Sequence, residues 1–249
     1  MLARYADLDG RYVLVTGGGS GIGASLVEHF AGQGVNVGFL DIAVEESEAL
    51  GERLGDNVAF ERADLTDIEA VRAAIARLRE RFGPVGAVVN NAAHDERHEL
   101  EDVTVEYWDG RMAVNLRHQF FVTQAVAADL KADGAGTIVN MGSTSWMLGQ
   151  GGMAAYTAAK SAVLGLTRSL ARDLGPFGVR ANSIAPGWIM TERQREKWVT
   201  PDKLEETLDR QCLKRELEPD DVAGLVLFLS SKASGGCTAQ DFVCDGGIV

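Results

Sequence analysis

Tyr156 and Lys160 lie four residues apart in a segment of helical periodicity, so their side chains should project from one face of a helix toward one reactant. A phenol has a reference pKa of about 10 and is a poor base at neutral pH, but a cation a few Å away contributes roughly 4 kcal/mol at an effective dielectric of about 20. Lys160 could therefore activate Tyr156 for proton transfer. The spacing alone is common; Ser143 adds weight to it, because it follows an apolar run and can reach the ligand-binding edge of a sheet.

A glycine-rich turn at residues 16–23 follows the first apolar run and opens into a helical segment. Glycines let a pyrophosphate approach the backbone, permit positive φ, and leave the N–H groups of the helix N-terminus free to face phosphates. Their spacing, Gly17-x-x-x-Gly21-x-Gly23, differs from the G-x-G-x-x-G fingerprint. For the glycines alone, a tight turn that binds no ligand remains the alternative.

Asp41 ends the second apolar run, about 20 residues beyond the turn, where a carboxylate can accept hydrogen bonds from the adenosine ribose of a dinucleotide. A 2′-phosphate would meet a like charge there, and neither the glycine turn nor Ile42 and Ala43 supplies an Arg or Lys to offset it. The combination predicts NAD rather than NADP. As an alternative, Asp41 could simply cap the next helix.

Short apolar runs rich in β-branched residues alternate with longer stretches of helical periodicity. The runs are nearly continuous in apolar character, as strands covered on both faces must be. With right-handed crossovers they predict an α/β fold, a single Rossmann-like doubly wound parallel sheet with helices on both faces. Strands are predicted over residues 12–16, 36–40, 58–63, 87–90, 137–141, 180–185 and 241–244. Helices are predicted over 22–33, 44–54, 68–81, 105–132, 154–174 and 220–230, with Gly34, Asp67 and Pro219 as boundary residues.

The composition is that of an ordinary globular protein, since 46% of the 249 residues are hydrophobic and 24% are charged, and this excludes intrinsic disorder. With 36 acidic and 24 basic side chains the net charge is −12, so neither nucleic acid nor an anionic membrane surface is expected as a partner. No apolar segment approaches the roughly 20 residues of a membrane helix, and residues 1–10 lack the layout of a secretory signal. A cytoplasmic protein is expected.

No repeat, low-complexity tract or linker divides the sequence, so residues 1–249 are expected to form one domain. Residues 188–217 interrupt the alternation with polar sequence between a strand end and the final helix, where lids over ligands are commonly built. Cys212, Cys237 and Cys244 show no Cys-x-x-Cys spacing, so reduced thiols are expected and no metal site is predicted.

Taken together, these features resemble the short-chain dehydrogenase/reductase family, in its subgroup with Thr-Gly-x-x-x-Gly-x-Gly. One departure is Ala93, which stands where the family has glycine, so that backbone position must avoid conformations that only glycine tolerates. The resemblance is carried by the glycine turn and by Asp41, Asp64-Leu65, Asn90-Asn91-Ala92-Ala93, Asn115, Ser143, Tyr156, Lys160 and Pro186-Gly187.

The resemblance implies an oxidoreductase in which Tyr156 is the general acid/base on the substrate oxygen and Ser143 polarises that oxygen. It implies that Lys160 depresses the pKa of Tyr156 and binds the nicotinamide ribose, and that Asn115 opens the long helix and holds a proton-relaying water. It implies that Asn90 contacts the adenosine ribose of NAD. The full set of residues implied to contact NAD is Gly17, Ser20, Gly21, Ile22, Gly23, Asp41, Asp64, Leu65, Asn90, Asn91, Ala92, Tyr156, Lys160, Pro186, Gly187, Ile189 and Thr191.

The substrate pocket should be built by loops at the carboxyl edge of the sheet. Tryptophans beside hydrogen-bonding side chains suit a sugar ring, which has apolar faces and a polar rim, although they could instead pack the lid against the domain. The predicted substrate-binding residues are Ser143, Tyr156, His94, Arg97, Trp146, Gln150, Trp188 and Gln194.

Several segments resemble a subgroup of the family, the bacterial NAD-dependent aldose 1-dehydrogenases of the D-xylose type. This resemblance implies that the substrate is a pentose or hexose whose anomeric carbon is oxidised to an aldonolactone. The segments are Asp95-Glu96-Arg97-His98, Tyr107-Trp108-Asp109, Asn115-Leu116-Arg117-His118-Gln119-Phe120-Phe121, Ser145-Trp146-Met147-Leu148, Pro186-Gly187-Trp188 with Met190-Thr191-Glu192, and Thr238-Ala239-Gln240-Asp241.

Other interpretations stay open. His94 and His98 are four residues apart beside carboxylates, as zinc ligands on a helix would be. A non-catalytic dinucleotide-binding module would need the glycine turn but could dispense with Tyr156. A dehydrogenase of a polyol, steroid or other secondary alcohol would keep the whole pattern, and so would a 3-oxoacyl thioester reductase, although that enzyme would usually favour NADP. Family likeness also implies a homotetramer built through the helices at 105–132 and 154–174.

Overall fold

The computed structural model describes residues 2–249 and forms a sheet of seven parallel strands. The strands are β1 (Tyr12–Thr16), β2 (Asn36–Asp41), β3 (Val58–Arg62), β4 (Ala87–Asn90), β5 (Thr137–Met141), β6 (Arg180–Pro186) and β7 (Asp241–Cys244). Their order across the sheet is β3-β2-β1-β4-β5-β6-β7. The predicted doubly wound α/β fold is confirmed, and each strand boundary lies within one residue of its predicted position.

Helices cover both faces of the sheet. Asp67 caps the third helix by accepting the Ala70 N–H at 3.1 Å, and Pro219 is the first residue of the last one. Among residues 2–249, no helix combines the length and apolar character needed to span a membrane. The helices are α1 (Gly21–Gly32), α2 (Val44–Leu54), α3 (Ile68–Phe82), α4 (Val105–Met112), α5 (His118–Asp133), α6 (Ala154–Leu174), α7 (Glu192–Lys197), α8 (Pro201–Arg210) and α9 (Pro219–Ser230).

Strand β1 shows how the sheet is held between two apolar layers. Val13 and Val15 pack in the layer that contains α1 and α9, whereas Leu14, which points the other way, packs in the layer that contains α3 and α5. All three side chains are fully buried. Burial on both faces explains why the strands read as continuous apolar runs, and it fixes the register, because a slip of one residue would exchange the two layers.

The long helix predicted over 105–132 contains a wider π-helical turn at Ala113–Arg117, between α4 and α5. The extra residue in that turn shifts the phase of the side chains without interrupting the apolar pattern, so periodicity did not reveal it. The turn buries Asn115 completely.

The polar segment at 188–217 contains two helices that the sequence analysis did not predict, α7 and α8. The hydroxyls of Thr191 and Thr200 cap them by accepting the N–H groups of Gln194 at 3.3 Å and of Lys203 at 3.4 Å. The helices have six and ten residues, which is too short for periodicity to distinguish them from a polar loop.

The strand order reverses between β1 and β4, which lie side by side at the centre of the sheet. At such a reversal the loops that leave the two strands run to opposite faces and leave a crevice at the carboxyl edge. The glycine turn follows β1 and residues 91–99 follow β4, so both meet there.

Candidate active site

A cleft of about 940 Å³ opens at the carboxyl edge of the sheet. Its volume is at the upper end of the range of about 300–1,000 Å³ that is typical of small-molecule sites. The glycine turn, the ends of β2 and β3, the loops after β4, β5 and β6, and helices α6, α7 and α8 all contribute to its wall. The fold thus brings segments from the whole length of the chain to one place.

Backbone crowding explains the glycines of the turn. A Cβ atom at Gly23 would overlap the carbonyl oxygen of Gly17, and one at Gly18 would lie 2.6 Å from the ring of Phe39. Ser20 precedes α1 and makes no side-chain hydrogen bond to it, so the first N–H groups of the helix remain available to an anion. The turn therefore fits the pyrophosphate of a dinucleotide.

Both carboxylate oxygens of Asp41 accept backbone hydrogen bonds. Oδ2 accepts the Gly19 N–H at 2.8 Å, and Oδ1 accepts the N–H groups of Ile42 at 2.7 Å and Ala43 at 3.0 Å. Helix α2 begins at Val44 and Ala43 is its N-cap, so Asp41 braces the glycine turn rather than capping that helix. A carboxylate offers about four acceptor positions, so Asp41 can still accept from a ribose hydroxyl.

Two adjacent asparagines at the end of β4 point in opposite directions: Asn90 is the last residue of the strand, and Asn91 follows it. Asn91 lines the cleft, and its Nδ2 donates to the carbonyl oxygens of Thr16 at 3.1 Å and Gly17 at 2.9 Å, which holds the glycine turn in place. Asn90 is fully buried, and its Nδ2 donates to Asn140 Oδ1 at 2.8 Å. The Asn90 side chain does not line the cleft, which corrects the expectation that it contacts the adenosine ribose. Strand alternation is the cause, since neighbouring side chains face opposite sides.

Asn115, in the π-helical turn, is tied to the loop after β4. Its Oδ1 accepts the His94 N–H at 2.8 Å, and its Nδ2 donates to the carbonyl oxygens of His94 at 3.2 Å and Arg111 at 3.0 Å. The carbonyl oxygen of Asn115 accepts from Gln119 Nε2 at 3.3 Å. The amide therefore positions the loop at residue 94, which lies on the cleft wall.

Tyr156 and Lys160 lie on the first two turns of α6, and both line the cleft together with Ser143. The Lys160 Nζ lies 5.7 Å from the centroid of the Tyr156 ring and donates to the carbonyl oxygen of Met141 at 2.7 Å. Lys160 is only 2% exposed, so its ammonium depends on these neighbours. The Ser143 hydroxyl accepts the Ser145 N–H at 3.1 Å, which fixes its position beside the phenol.

Burial dominates the titration of this pair. It raises the pKa of Tyr156 to about 12, although the hydrogen bond with the Ser143 hydroxyl counteracts it. Burial lowers the pKa of Lys160 to about 7, with the Asp95 charge counteracting. The Tyr–Lys spacing alone led to the expectation that the Lys160 charge lowers the pKa of Tyr156. That expectation did not include the free-energy cost of removing either charge from water. Of the two groups, Lys160 is therefore the one that releases its proton at the lower pH.

The loop after β4 and helix α7 form the other wall of the cleft. Trp146 does not line it, which corrects the expectation that this residue contacts substrate. Trp146 lies in a turn at residues 144–149 in which Thr144, Ser145 and Leu148 face the cleft instead. The remaining predicted substrate residues outside the catalytic group do line it, namely His94, Arg97, Gln150, Trp188 and Gln194.

The two histidines considered as zinc ligands do not share a helix face, because residues 94–98 form a loop. The His94 Nδ1 contacts the Arg111 guanidinium; burial and then that cation lower the pKa of His94. The His98 Nδ1 lies 3.1 Å from the carbonyl oxygen of Glu99. In the part of the chain that the structure describes, no group of three His, Cys, Asp or Glu side chains is placed to hold a metal ion.

Part of the cleft wall consists of residues that the sequence pattern did not predict. One missed residue is Arg111, whose guanidinium lies 5.3 Å from the centre of the Tyr107 ring. Four others share one face of α8, where a spacing of three and four residues was a signal that could have found them. These four are Lys203, Glu206, Thr207 and Arg210, and the further missed wall residues include Asp95, Arg193, Trp198 and Ile248.

Comparison with known proteins identifies the family of the chain. A family model described as enoyl-(acyl carrier protein) reductase matches residues 17–249. A probable galactose dehydrogenase of Rhizobium meliloti is 50% identical over 250 residues, which cover 99% of this chain and 98% of that protein. The D-xylose 1-dehydrogenase of Caulobacter vibrioides is 46% identical over 248 residues, or 98% of each chain.

Among solved structures, a short-chain dehydrogenase/reductase from Brucella melitensis, described as a glucose/ribitol dehydrogenase, has a TM-score of 0.93 at 27% identity and covers 99% of both chains. Fold and cleft define an oxidoreductase that acts on CH–OH donors and depends on a dinucleotide. The chain belongs to the short-chain dehydrogenase/reductase family.

We expect Gly23→Ala to abolish tight dinucleotide binding, because the added methyl group would overlap the Gly17 carbonyl oxygen. The Kd for NADH, titrated by fluorescence, should rise at least about tenfold, and the free energy of unfolding should fall by about 1–3 kcal/mol. Gly32→Ala, in the same helix, is the matched control, since a Cβ there has no neighbour within 4 Å. Wild-type affinity in Gly23→Ala would contradict the crowding described for the turn.

Proposed function

We propose that this protein is an NAD-dependent aldose 1-dehydrogenase, which oxidises the anomeric carbon of a cyclic pentose or hexose to an aldonolactone. The observation that carries the proposal is one shared cleft. Tyr156, Lys160 and Ser143 line the same space as the glycine turn and a wall of tryptophan and hydrogen-bonding side chains. Two relatives named as a galactose dehydrogenase and a D-xylose 1-dehydrogenase support a sugar as the substrate.

In this function Tyr156 is the catalytic base, and its phenolic oxygen takes the proton of the anomeric hydroxyl while the C1–H bond breaks. Ser143 hydrogen-bonds the same substrate oxygen and polarises it. Lys160, fixed by the Met141 carbonyl, shares the titrating proton with Tyr156 and passes it on. Bound NAD supplies the acceptor for the hydride. Asn115 acts as a positioning residue, since it holds the loop at His94.

The residues predicted to bind the cofactor include both hydrogen-bond donors and hydrogen-bond acceptors. The glycine turn offers N–H groups to the pyrophosphate, and Asp41 offers acceptors to the adenosine ribose. Gly21 is the one member of the set below that does not line the cleft, and a Cβ there would lie 3.1 Å from the Thr191 side chain, which does. We assign NAD to Gly17, Ser20, Gly21, Ile22, Gly23, Asp41, Asp64, Leu65, Asn91, Ala92, Tyr156, Lys160, Pro186, Gly187, Ile189 and Thr191.

For the sugar, the lid end of the cleft combines an apolar surface with donors and acceptors. Trp188 provides an aromatic face, which suits the C–H face of a pyranose ring. His94, Arg97, Gln150 and Gln194 provide hydrogen-bonding groups for the ring hydroxyls. We therefore assign these five residues to substrate binding and residues 188–217 to a lid.

We also propose a single-domain, cytoplasmic homotetramer. The three cysteines are free thiols, as expected in a reducing compartment. On α4 and α5, Trp108 is 38% exposed and Phe120 is 41% exposed, and large apolar side chains left on a helix surface are typical of a subunit interface.

A substrate panel tests the activity. NADH formation should be fastest with an aldose such as D-xylose or D-galactose, with kcat/KM at least about tenfold above polyols and 3-hydroxyacyl thioesters. Tyr156→Phe should lower kcat about 10²- to 10⁴-fold and leave the Kd for NADH nearly unchanged. Activity confined to thioesters or polyols would overturn the aldose assignment, and normal turnover in Tyr156→Phe would remove that residue from the mechanism.

Cofactor choice is tested by the ratio of kcat/KM for NAD to that for NADP, which should exceed about tenfold in the wild type. Asp41→Asn removes the charge, and its one oxygen can still accept from one of the two sets of backbone N–H groups, so the ratio should fall toward one. Glu45→Gln is the control, because it removes an exposed charge from the neighbouring helix α2, outside the cleft lining. Equal use of both cofactors by the wild type would refute the assignment of NAD.

The rate of sugar oxidation should rise with pH about tenfold per unit below pH 7 and level off above it, because the base forms when the buried pair loses one proton. In Lys160→Met that proton must come from Tyr156, whose pKa is raised to about 12, so the rise should move beyond about pH 9. Lys203→Met, on the same cleft wall, should keep the wild-type profile. An unshifted profile in Lys160→Met would show that Lys160 does not take part in the proton loss.

A further inference from the structure

Asp95, in the loop after β4, joins two walls of the cleft. Its Oδ1 accepts from the Arg193 guanidinium, with Nε at 3.3 Å and Nη2 at 3.1 Å, and its Oδ2 accepts from Gln194 Nε2 at 2.7 Å. All three side chains are partly buried and line the cleft. We call this set the Asp95 clasp. It connects residue 95 to helix α7, nearly one hundred residues later in the chain.

The Asp95 clasp fixes the orientation of the Gln194 amide. The Gln194 Oε1 accepts from the indole Nε1 of Trp188 at 2.8 Å, while its Nε2 donates to Asp95. A carboxylate can only accept and an indole N–H can only donate, so the amide has one possible orientation. One amide N–H of Gln194 remains for a ligand in the cleft.

A second contact crosses the cleft beside the clasp. The Arg97 guanidinium lies 5.0 Å from the centre of the Trp198 ring. The Arg97 Nε and the Trp198 Nε1 are buried and have no hydrogen-bond partner among the described residues. The contact therefore joins the loop after β4 to the residue that follows α7, in parallel with the clasp.

We propose that Asp95 is a specificity-determining positioning residue: by holding Gln194 and Arg193, it fixes the hydrogen-bonding wall that reads the configuration of the sugar hydroxyls away from the anomeric carbon. The proposal rests on the aldose function proposed above. Asp95 is a positioning residue and not a direct substrate ligand. Both of its carboxylate oxygens are used within the clasp, so it acts on the substrate through Gln194 and Arg193.

Charge keeps the clasp closed near neutral pH. Burial by itself would raise the pKa of Asp95, but the Gln194 hydrogen bond and the Arg193 charge outweigh it and hold that pKa below its usual value. The clasp is thus a set of charge-assisted hydrogen bonds, which are stronger than neutral ones. Without the carboxylate, the Gln194 amide could rotate and Arg193 would lose its partner. A site rejects the wrong epimer when that epimer leaves fixed hydrogen-bonding groups of the site unpaired. If the donors in the cleft wall can rotate, they find other partners, and the wrong epimer is rejected less strongly.

Two epimeric aldoses, D-galactose and D-glucose, test the proposal through the ratio of their kcat/KM values. In Asp95→Ala the KM of the preferred epimer should rise about tenfold while kcat changes less than about threefold, and the ratio should fall at least about tenfold toward one. The KM for NAD should stay unchanged. An unchanged epimer ratio in Asp95→Ala would overturn the proposal.

Helix α7 offers a matched control. Arg195 pairs with Glu216 at 2.6 Å and Glu218 at 2.8 Å, and all three side chains lie at the surface away from the clasp. Arg195→Gln therefore removes an ion pair from the same helix, and it should keep the wild-type epimer ratio within about twofold. An equal loss of selectivity in Arg195→Gln would show that the effect is a general loosening of α7.

An exchange of partners provides a rescue. Asp95→Asn breaks the charge pairing with little change in shape, and adding Gln194→Glu restores an amide–carboxylate hydrogen bond while keeping an acceptor for Trp188. The double variant lacks the amide N–H of residue 194, so its readout is the order of α7: it should recover most of the slow amide exchange at residues 192–210 that Asp95→Asn loses. Losses that simply add in the double variant would contradict the clasp, and these near-isosteric variants serve also if Asp95→Ala does not fold.

Hydrogen exchange separates this proposal from the aldose assignment. Amides of residues 192–210 should exchange faster in Asp95→Ala than in the wild type and in Arg195→Gln, whatever the substrate. If the wild type oxidises no aldose, the aldose function fails while faster exchange still supports the clasp. If aldoses are oxidised but neither exchange nor selectivity changes, the Asp95 proposal fails on its own.

Discussion

The main constraint on the site is that the Tyr156 phenol and the Lys160 ammonium are both buried away from water. Burial raises the pKa of Tyr156 and lowers the pKa of Lys160. In both cases burial disfavours the charged form, because water no longer solvates it. What the fold supplies is a carbonyl oxygen, that of Met141, at 2.7 Å from the ammonium. Met141 ends β5, so the sheet itself holds the Lys160 ammonium beside the Tyr156 ring.

The loop after β4 connects the other parts of the site to this pair. Asn91 holds the glycine turn, Asn115 holds the loop at His94, and Asp95 holds helix α7. Three elements that are distant in sequence are thereby fixed to one strand end. Because β4 is fully buried at the centre of the sheet, its loop leaves from a rigid base, and side-chain positions along it are well defined.

Much of this arrangement could be predicted from the sequence. The strands were predicted to within one residue because burial on both faces leaves continuous β-branched runs, and the turn after β1 was identified because steric crowding demands glycine there. The π-helical turn was not predicted, because one extra residue changes the side-chain phase without changing the apolar pattern. Trp146 and Asn90 were placed wrongly for a related reason. Sequence position brought both to the correct edge of the sheet, but side-chain direction was set by a turn in one case and by strand alternation in the other.

Asp41 shows a constraint on attempts to re-engineer the cofactor preference. Its carboxylate is at once a proposed ribose acceptor and a brace for three backbone N–H groups, so replacing it with a small residue would loosen the turn that holds the phosphates. Ile42, its neighbour, also lines the cleft but leaves most of its side chain in solvent. A designer who wishes to accommodate an additional phosphate would do better to introduce a cation at position 42 and leave the carboxylate in place.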